Sequence, residues 1–198
     1  MNFDDIYTYK CPTPEIYTNN QLISNIKLLL DLPDVTQRIQ GTKYDSATGE
    51  VLTSVGNEYS DIQLLPGATQ LVAWVTQKLM ETNKNAKQIR YTKSWANMMF
   101  RNSEGLVHAH VHPDFKDPNV DFVAIFYVYV PENGSDLVFI EGGEFNTHYY
   151  DYPESKRTNI KVNTGDLIIH PPQIAHAVSK HNSDIPRICL VFEGKYLL

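Results

Sequence analysis

Cysteine is scarce: the 198 residues include only two, Cys11 and Cys189. Two thiols so far apart make neither a disulfide framework nor a Cys-x-x-Cys metal pair. A reducing compartment, the cytoplasm, is the simpler expectation. Long apolar runs are missing too. The longest, Phe122 to Val130, is about half the ~20 residues that a membrane-spanning helix needs. The start, Met1-Asn2-Phe3-Asp4-Asp5, is acidic and lacks the basic and apolar regions of a secretory leader. Positive charge is also short: 17 Lys and Arg face 23 Asp and Glu, a formal charge of −6. With no basic run, a nucleic-acid backbone is not an expected partner. Internal repeats and low-complexity linkers are absent. Asn133-Gly134-Ser135 spells a glycosylation acceptor, but without a leader it reads as turn chemistry.

What remains suits one soluble domain over 1–198 with a sizeable core. Twelve Tyr and eight Phe favour a β-rich body. Residues 1–18 read as an extended arm. Asn19 or Asn20 caps a helix over Gln21–Leu30, with Ile23, Ile26, Leu29 and Leu30 on one face and Pro33 as the stop. Residues 38–60 read as polar and turn-rich, with a hairpin near Asp45-Ser46-Ala47-Thr48-Gly49. Leu71, Val72, Val75, Leu79 and Met80 repeat at helical spacing within Ala68–Thr82.

From about residue 88 the pattern turns to β. Strands are expected over Ile89–Thr92, Trp95–Arg101, Leu106–His112, Phe122–Val130, Leu137–Glu141, Thr158–Val162, Asp166–His170, Ala175–Ser179 and Ile188–Glu193. Asn133-Gly134 supplies a hairpin turn before Leu137. A helical part over about 1–87 followed by many short strands predicts a mainly β fold with flanking helices. The specific expectation is a double-stranded β-helix, or cupin-like jelly roll, buttressed by the N-terminal helices.

The chemistry is carried by histidines. His108, His110 and His112 alternate with Ala109 and Val111, and alternate strand residues share a face. A distant His176 follows Gly165-Asp166 and Pro171-Pro172. Near ligands from one strand and a far one from another can converge on a metal. The near pair is His108 with His110, His110 with His112, or His112 with Asp114. The last supplies the carboxylate of a two-His-one-carboxylate iron site, but Pro113 places Asp114 where regular pairing fails. The competing reading of these histidines is a polar barrel face. Arg187 stands eleven positions after His176 on an apolar segment. A buried arginine needs a partner, and a bidentate carboxylate is its complement. That partner is a ligand carboxylate or a protein acid such as Glu193 or Asp184.

Several segments together resemble the 2-oxoglutarate/Fe(II)-dependent oxygenases, nearest a small branch with a His-x-His-Pro motif found in bacteria and phages. They are Trp95-Ala96-Asn97, His110-Val111-His112-Pro113, Phe126-Tyr127-Val128-Tyr129, Gly165-Asp166, Pro171-Pro172, His176 and Arg187. The resemblance covers roughly 88–194. It implies Fe(II) on His110, His112 and His176, with Asp114 the alternative carboxylate ligand. It implies 2-oxoglutarate held by Arg187, helped by Tyr127 or Asn97, with ascorbate as a supporting reductant. The implied reaction hydroxylates a small molecule or a side chain and releases succinate and carbon dioxide. Trp95, His108 and the 114–121 loop would form the substrate rim. Cys189 stands where the superfamily often has Ser, which removes one expected cosubstrate hydrogen bond. The rivals are a cupin-type metalloenzyme, with Arg187 structural, and a non-catalytic jelly-roll binding module.

Overall fold

The computed structural model describes residues 3–32, 37–40, 50–55, 61–110, 120–140 and 157–198. Asn19 accepts the Leu22 N–H at 2.8 Å and so starts the first long helix, α2 (Asn20–Asp31), after a short turn of helix, α1 (Glu15–Thr18). Leu22, Ile26, Leu29 and Leu30 form its buried face. The second long helix, α3 (Thr69–Thr82), buries Leu71, Val75 and Leu79 at helical spacing. Each fully buried side chain of this kind contributes roughly 1.5–3 kcal/mol.

The strands are β1 (Tyr7–Lys10), β2 (Gln37–Gln40), β3 (Glu50–Thr53), β4 (Gln88–Met99), β5 (Gly105–His108), β6 (Phe122–Tyr129), β7 (Leu137–Ile140), β8 (Arg157–Ile160), β9 (Asp166–His170), β10 (His176–Val178) and β11 (Arg187–Leu197). Seven of them form a large sheet in the order β1-β9-β6-β11-β4-β3-β2; the others form a smaller sheet, β5-β10-β7-β8. Every pairing among the described residues is antiparallel.

Strand alternation separates two cores. Phe122, Ala124, Phe126 and Val128 of β6 and Ile188, Leu190 and Phe192 of β11 face the helices. Val123, Ile125 and Tyr127, with Cys189 and Val191, face the smaller sheet and meet Leu137 and Phe139 there. Helices thus cover one side of the large sheet, and the two sheets enclose the other core. This is the double-stranded β-helix expected from the sequence.

Several local expectations change. Residues 38–60, read as turn-rich, include β3 and part of β2, which extend the large sheet beyond β4. The N-terminal part, expected to be helical, thereby supplies three strands among the described residues. They were hard to see because each spans only four residues. The arm pairs β1 with β9 along Tyr7↔Ile169 to Lys10↔Asp166. The two strands expected on either side of Lys93-Ser94 are one, β4. Its apparent break is a register shift opposite Glu193 and Gly194. A Cβ on Gly194 would fall onto the Arg90 carbonyl, so only glycine fits there. Asn133 (φ 59°) turns the chain, but its flanking strands, β6 and β7, lie in different sheets. The turn is a crossover rather than a hairpin. The hairpin expected at 45–49 lies outside the described residues.

Candidate metal centre

One face of β11 sets the site. Arg187, Cys189, Val191 and Glu193 line a cavity of about 550 Å³ between the sheets. Neighbouring strands add rows at the same levels: Met99 beside Arg187, Asn97 and Tyr127 flanking Cys189, and Trp95 and Ile125 flanking Val191. Across the cavity, β5 and β10 set His108 directly opposite His176. His110 follows β5, its N–H donating to the Pro172 carbonyl at 2.9 Å.

Candidate donor nitrogens of His108, His110 and His176 all lie within 4.8 Å of one another. His176 Nδ1 is 3.2 Å from the Ile174 carbonyl, a bond in which only an N–H can donate, so its Nε2 presents a lone pair. That Nε2 is 3.4 Å from His110 Nε2. The other nitrogen of His110, Nδ1, bonds Glu193 Oε1. Two imidazole nitrogens on one ion at ~2.1 Å bond length stand roughly 3.0–3.5 Å apart. The residues present therefore fit a metal ion. Burial holds His176 well below its ordinary pKa, with the neighbouring histidines adding to the effect. The ring is thus neutral, the form that ligates. Burial likewise pushes His170 down to about 3. His170 Nδ1 bonds the Pro171 carbonyl at 2.8 Å, and its ring meets that of His176 edge-on at 4.7 Å.

Arg187 is 2% exposed. Its guanidinium lies over the Tyr127 ring, and Nη1 meets Met99 Sδ at 3.0 Å. Among the described residues Nε has no hydrogen-bond partner, nor does the Tyr127 hydroxyl. The protein acids proposed as partners are engaged elsewhere: Asp184 with Arg101 at 2.5 Å and Glu193 with His110. Among the described residues no carboxylate forms an ion pair with Arg187. A buried cation with an orphaned donor fits a dicarboxylate ligand. Burial raises the Tyr127 phenol, with Arg187 only partly opposing it. It also raises the Cys189 thiol, opposed by Arg187 and by a hydrogen bond with Asn97.

His110, His176, Arg187, Tyr127 and Asn97 thus come together around one cavity. His112 and Asp114 lie outside the described residues. Of the three rim candidates, Trp95 and His108 line the cavity, and the 114–121 loop lies mostly outside the described residues. Trp95 is buried, its indole stacked on His110 at 5.9 Å between centroids, so it is wall rather than rim. His108 is exposed but stands within the imidazole group. Sequence reasoning gave no role to His170 and considered Glu193 only as a partner for Arg187. Period-two spacing from Arg187 to Glu193 was the available signal.

The fold and this site define a β-helical metalloenzyme. A family model described as "Putative 2OG-Fe(II) oxygenase" matches residues 93–193, and the chain belongs to that family. It is an oxygenase whose metal and cosubstrate are Fe(II) and 2-oxoglutarate. No curated protein matches. Among solved structures, an oxidoreductase of the 2OG-Fe(II) oxygenase family from Burkholderia pseudomallei is similar at TM-score 0.62 and 14% identity, over 95% of this chain and 84% of that one. HygX from Streptomyces hygroscopicus, solved with nickel, 2-oxoglutarate and hygromycin B, is similar at 0.60 and 12%, over 99% and 85%. A prolyl-4-hydroxylase from Pseudomonas putida is similar at 0.58 and 11%, over 97% and 92%. Among the described residues no helix is long and apolar enough to cross a membrane.

Proposed function

We propose that this chain hydroxylates a small molecule or an exposed side chain, converting 2-oxoglutarate and dioxygen to succinate and carbon dioxide as it does so. One oxygen atom goes to the substrate and one to succinate, so the reaction balances without a further reductant. The observation that carries the reading is Arg187: a buried guanidinium that pairs with no carboxylate among the described residues, in the cavity that also holds the His110–His176 pair.

His110 and His176 would donate Nε2 lone pairs to Fe(II), and His108 is the third imidazole in reach. Fe(II), when bound, supplies the activation of dioxygen. Arg187 would take the far carboxylate of 2-oxoglutarate through two N–H groups. The Tyr127 ring would brace the guanidinium face, and its hydroxyl, with Asn97, would offer further hydrogen bonds to the cosubstrate. Ile125, Leu137 and Val191 line the same cavity and would keep water from it. The protein's contribution is position and dryness rather than an acid–base pair.

Turnover is the test. Protein loaded with Fe(II) without oxygen, then given 2-oxoglutarate, ascorbate and oxygen, is expected to release succinate even without a prime substrate. Arg187→Ala should lose 2-oxoglutarate binding and keep the metal. Unchanged 2-oxoglutarate affinity in that variant would return Arg187 to a structural role and favour the cupin-type rival.

A further inference from the structure

The donors gathered among the described residues are all imidazoles, so they bring no negative charge to a divalent cation. A carboxylate nevertheless lies one bond behind them. Glu193 is inside the barrel, its side chain 11% exposed, at the far end of the β11 face that begins at Arg187. Its Oε1 meets His110 Nδ1. Among the described residues no Lys or Arg forms an ion pair with it, although Lys93 is its direct cross-strand neighbour on β4. A buried carboxylate needs a compensating partner, and here that partner is one imidazole edge. His110 is fixed from other sides as well. Trp95 stacks on its ring at 5.9 Å, the His176 ring lies nearly parallel at 5.1 Å and 7°, and its backbone N–H is held by Pro172.

We infer that Glu193 is a positioning residue for the metal. It accepts the Nδ1 proton of His110, fixes the tautomer whose Nε2 faces His176, and supplies from behind the ligand the negative charge that the imidazole set lacks. Glu193 does not touch the ion; it acts through His110. A carboxylate in this position raises the basicity of the ligating nitrogen and holds the ring's orientation, and losing such a partner typically weakens metal affinity about 10–100-fold. The inference rests on the metal reading above and extends it.

The probes are Co(II) titration by calorimetry and visible absorption, and nitrogen-15 NMR of the histidines in metal-free protein. In wild type, NMR should find His110 protonated at Nδ1 with Nε2 bare. Co(II) should bind at one equivalent, and His176→Ala should abolish that binding. Glu193→Ala should weaken Co(II) binding by about 10–100-fold. Glu193→Gln keeps an acceptor oxygen and nearly the same shape but no charge. It should fold as wild type, keep the tautomer and bind Co(II) with intermediate affinity. Both variants should shift the ligand-field bands, which a residue that only packs would leave alone. Wild-type Co(II) affinity in Glu193→Gln and Glu193→Ala, with His176→Ala still defective, would overturn the role of Glu193 and leave the metal centre standing. An Nε2-protonated His110 would overturn it too. Failure of the wild-type chain to take up Co(II) would overturn the centre and the inference together.

Discussion

The Arg187 guanidinium lies 4.7 Å above the centroid of the Tyr127 ring, and each side chain keeps a polar atom without a hydrogen-bond partner among the described residues: Nε of the one, the hydroxyl of the other. On the proposed function the pair would receive the far carboxylate of 2-oxoglutarate. Removing the guanidinium by Arg187→Ala should raise the 2-oxoglutarate dissociation constant about 100-fold or more, since each charge-assisted hydrogen bond contributes roughly 1.5–3 kcal/mol. Arg187→Lys keeps the charge and loses the fork, so it should recover only part of the affinity. Calorimetry on Mn(II)-loaded protein reads both. Equal losses of Mn(II) and 2-oxoglutarate affinity would mean that the variant had damaged the fold instead.

Tyr127→Phe should move stability and binding in opposite directions. Among the described residues the hydroxyl makes no hydrogen bond of normal geometry, although the Arg187 guanidinium lies close to it, and a buried hydroxyl left so costs about 1–3 kcal/mol until something meets it. Deleting it should leave the free protein as stable as wild type or up to about 1 kcal/mol more stable, read from urea midpoints. The same variant should bind 2-oxoglutarate several-fold more weakly. A destabilised free protein with unchanged cosubstrate affinity would show that the hydroxyl serves the fold.

Acid should unfold the metal-free protein through its buried histidines. His170 is held at about 3 by burial, against an ordinary value of 6.5. Above 6.5 it is neutral in both states and favours neither. Below 6.5 the unfolded chain gains a proton that the folded chain refuses, so stability falls with pH down to about 3, by roughly 1.4 kcal/mol per unit per group. His176 is shifted the same way. Between pH 6.5 and 5, His170 alone should cost about 2 kcal/mol. His170→Asn should flatten that part of the profile. A wild-type urea midpoint equal at pH 7.5 and pH 5 would contradict the burial argument.

The large sheet and its helix cover were legible because long periodic segments decide them. The apolar face of α3 repeats at 3.6, and β6 and β11 stand out as long runs buried over seven and eight consecutive residues. Four-residue strands such as β2 and β3 carry too little pattern to register; they exist because β4 offers an edge. In the site, His176 and Arg187 stood out because imidazole and guanidinium are unusual among apolar neighbours. The assignment of near ligands was harder, since any two of His108, His110 and His112 share a strand face. Only the pairing of β5 with β10 sets His108 opposite His176. Glu193 was visible in composition but not in partnership. Its bond to His110 joins residues 83 positions apart, and no local spacing encodes that.

The third ligand can be read by substitution. His110 and His176 face each other Nε2 to Nε2, so His110→Ala and His176→Ala should each abolish tight metal binding. His108 has a donor nitrogen within 4.8 Å of both, although its ring is exposed. If it completes the set, His108→Ala should weaken Mn(II) or Co(II) binding at least tenfold, while His112→Ala and Asp114→Ala remain near wild type. An all-imidazole set and one containing a carboxylate also differ in charge, and Co(II) absorption separates them without reference to turnover. A His108→Ala protein with wild-type metal affinity, beside a defective His112→Ala or Asp114→Ala, would return the third position to the ligands first suggested by the His-x-His-Pro segment. It would leave His108 as a side chain at the cavity mouth, where substrate would meet it.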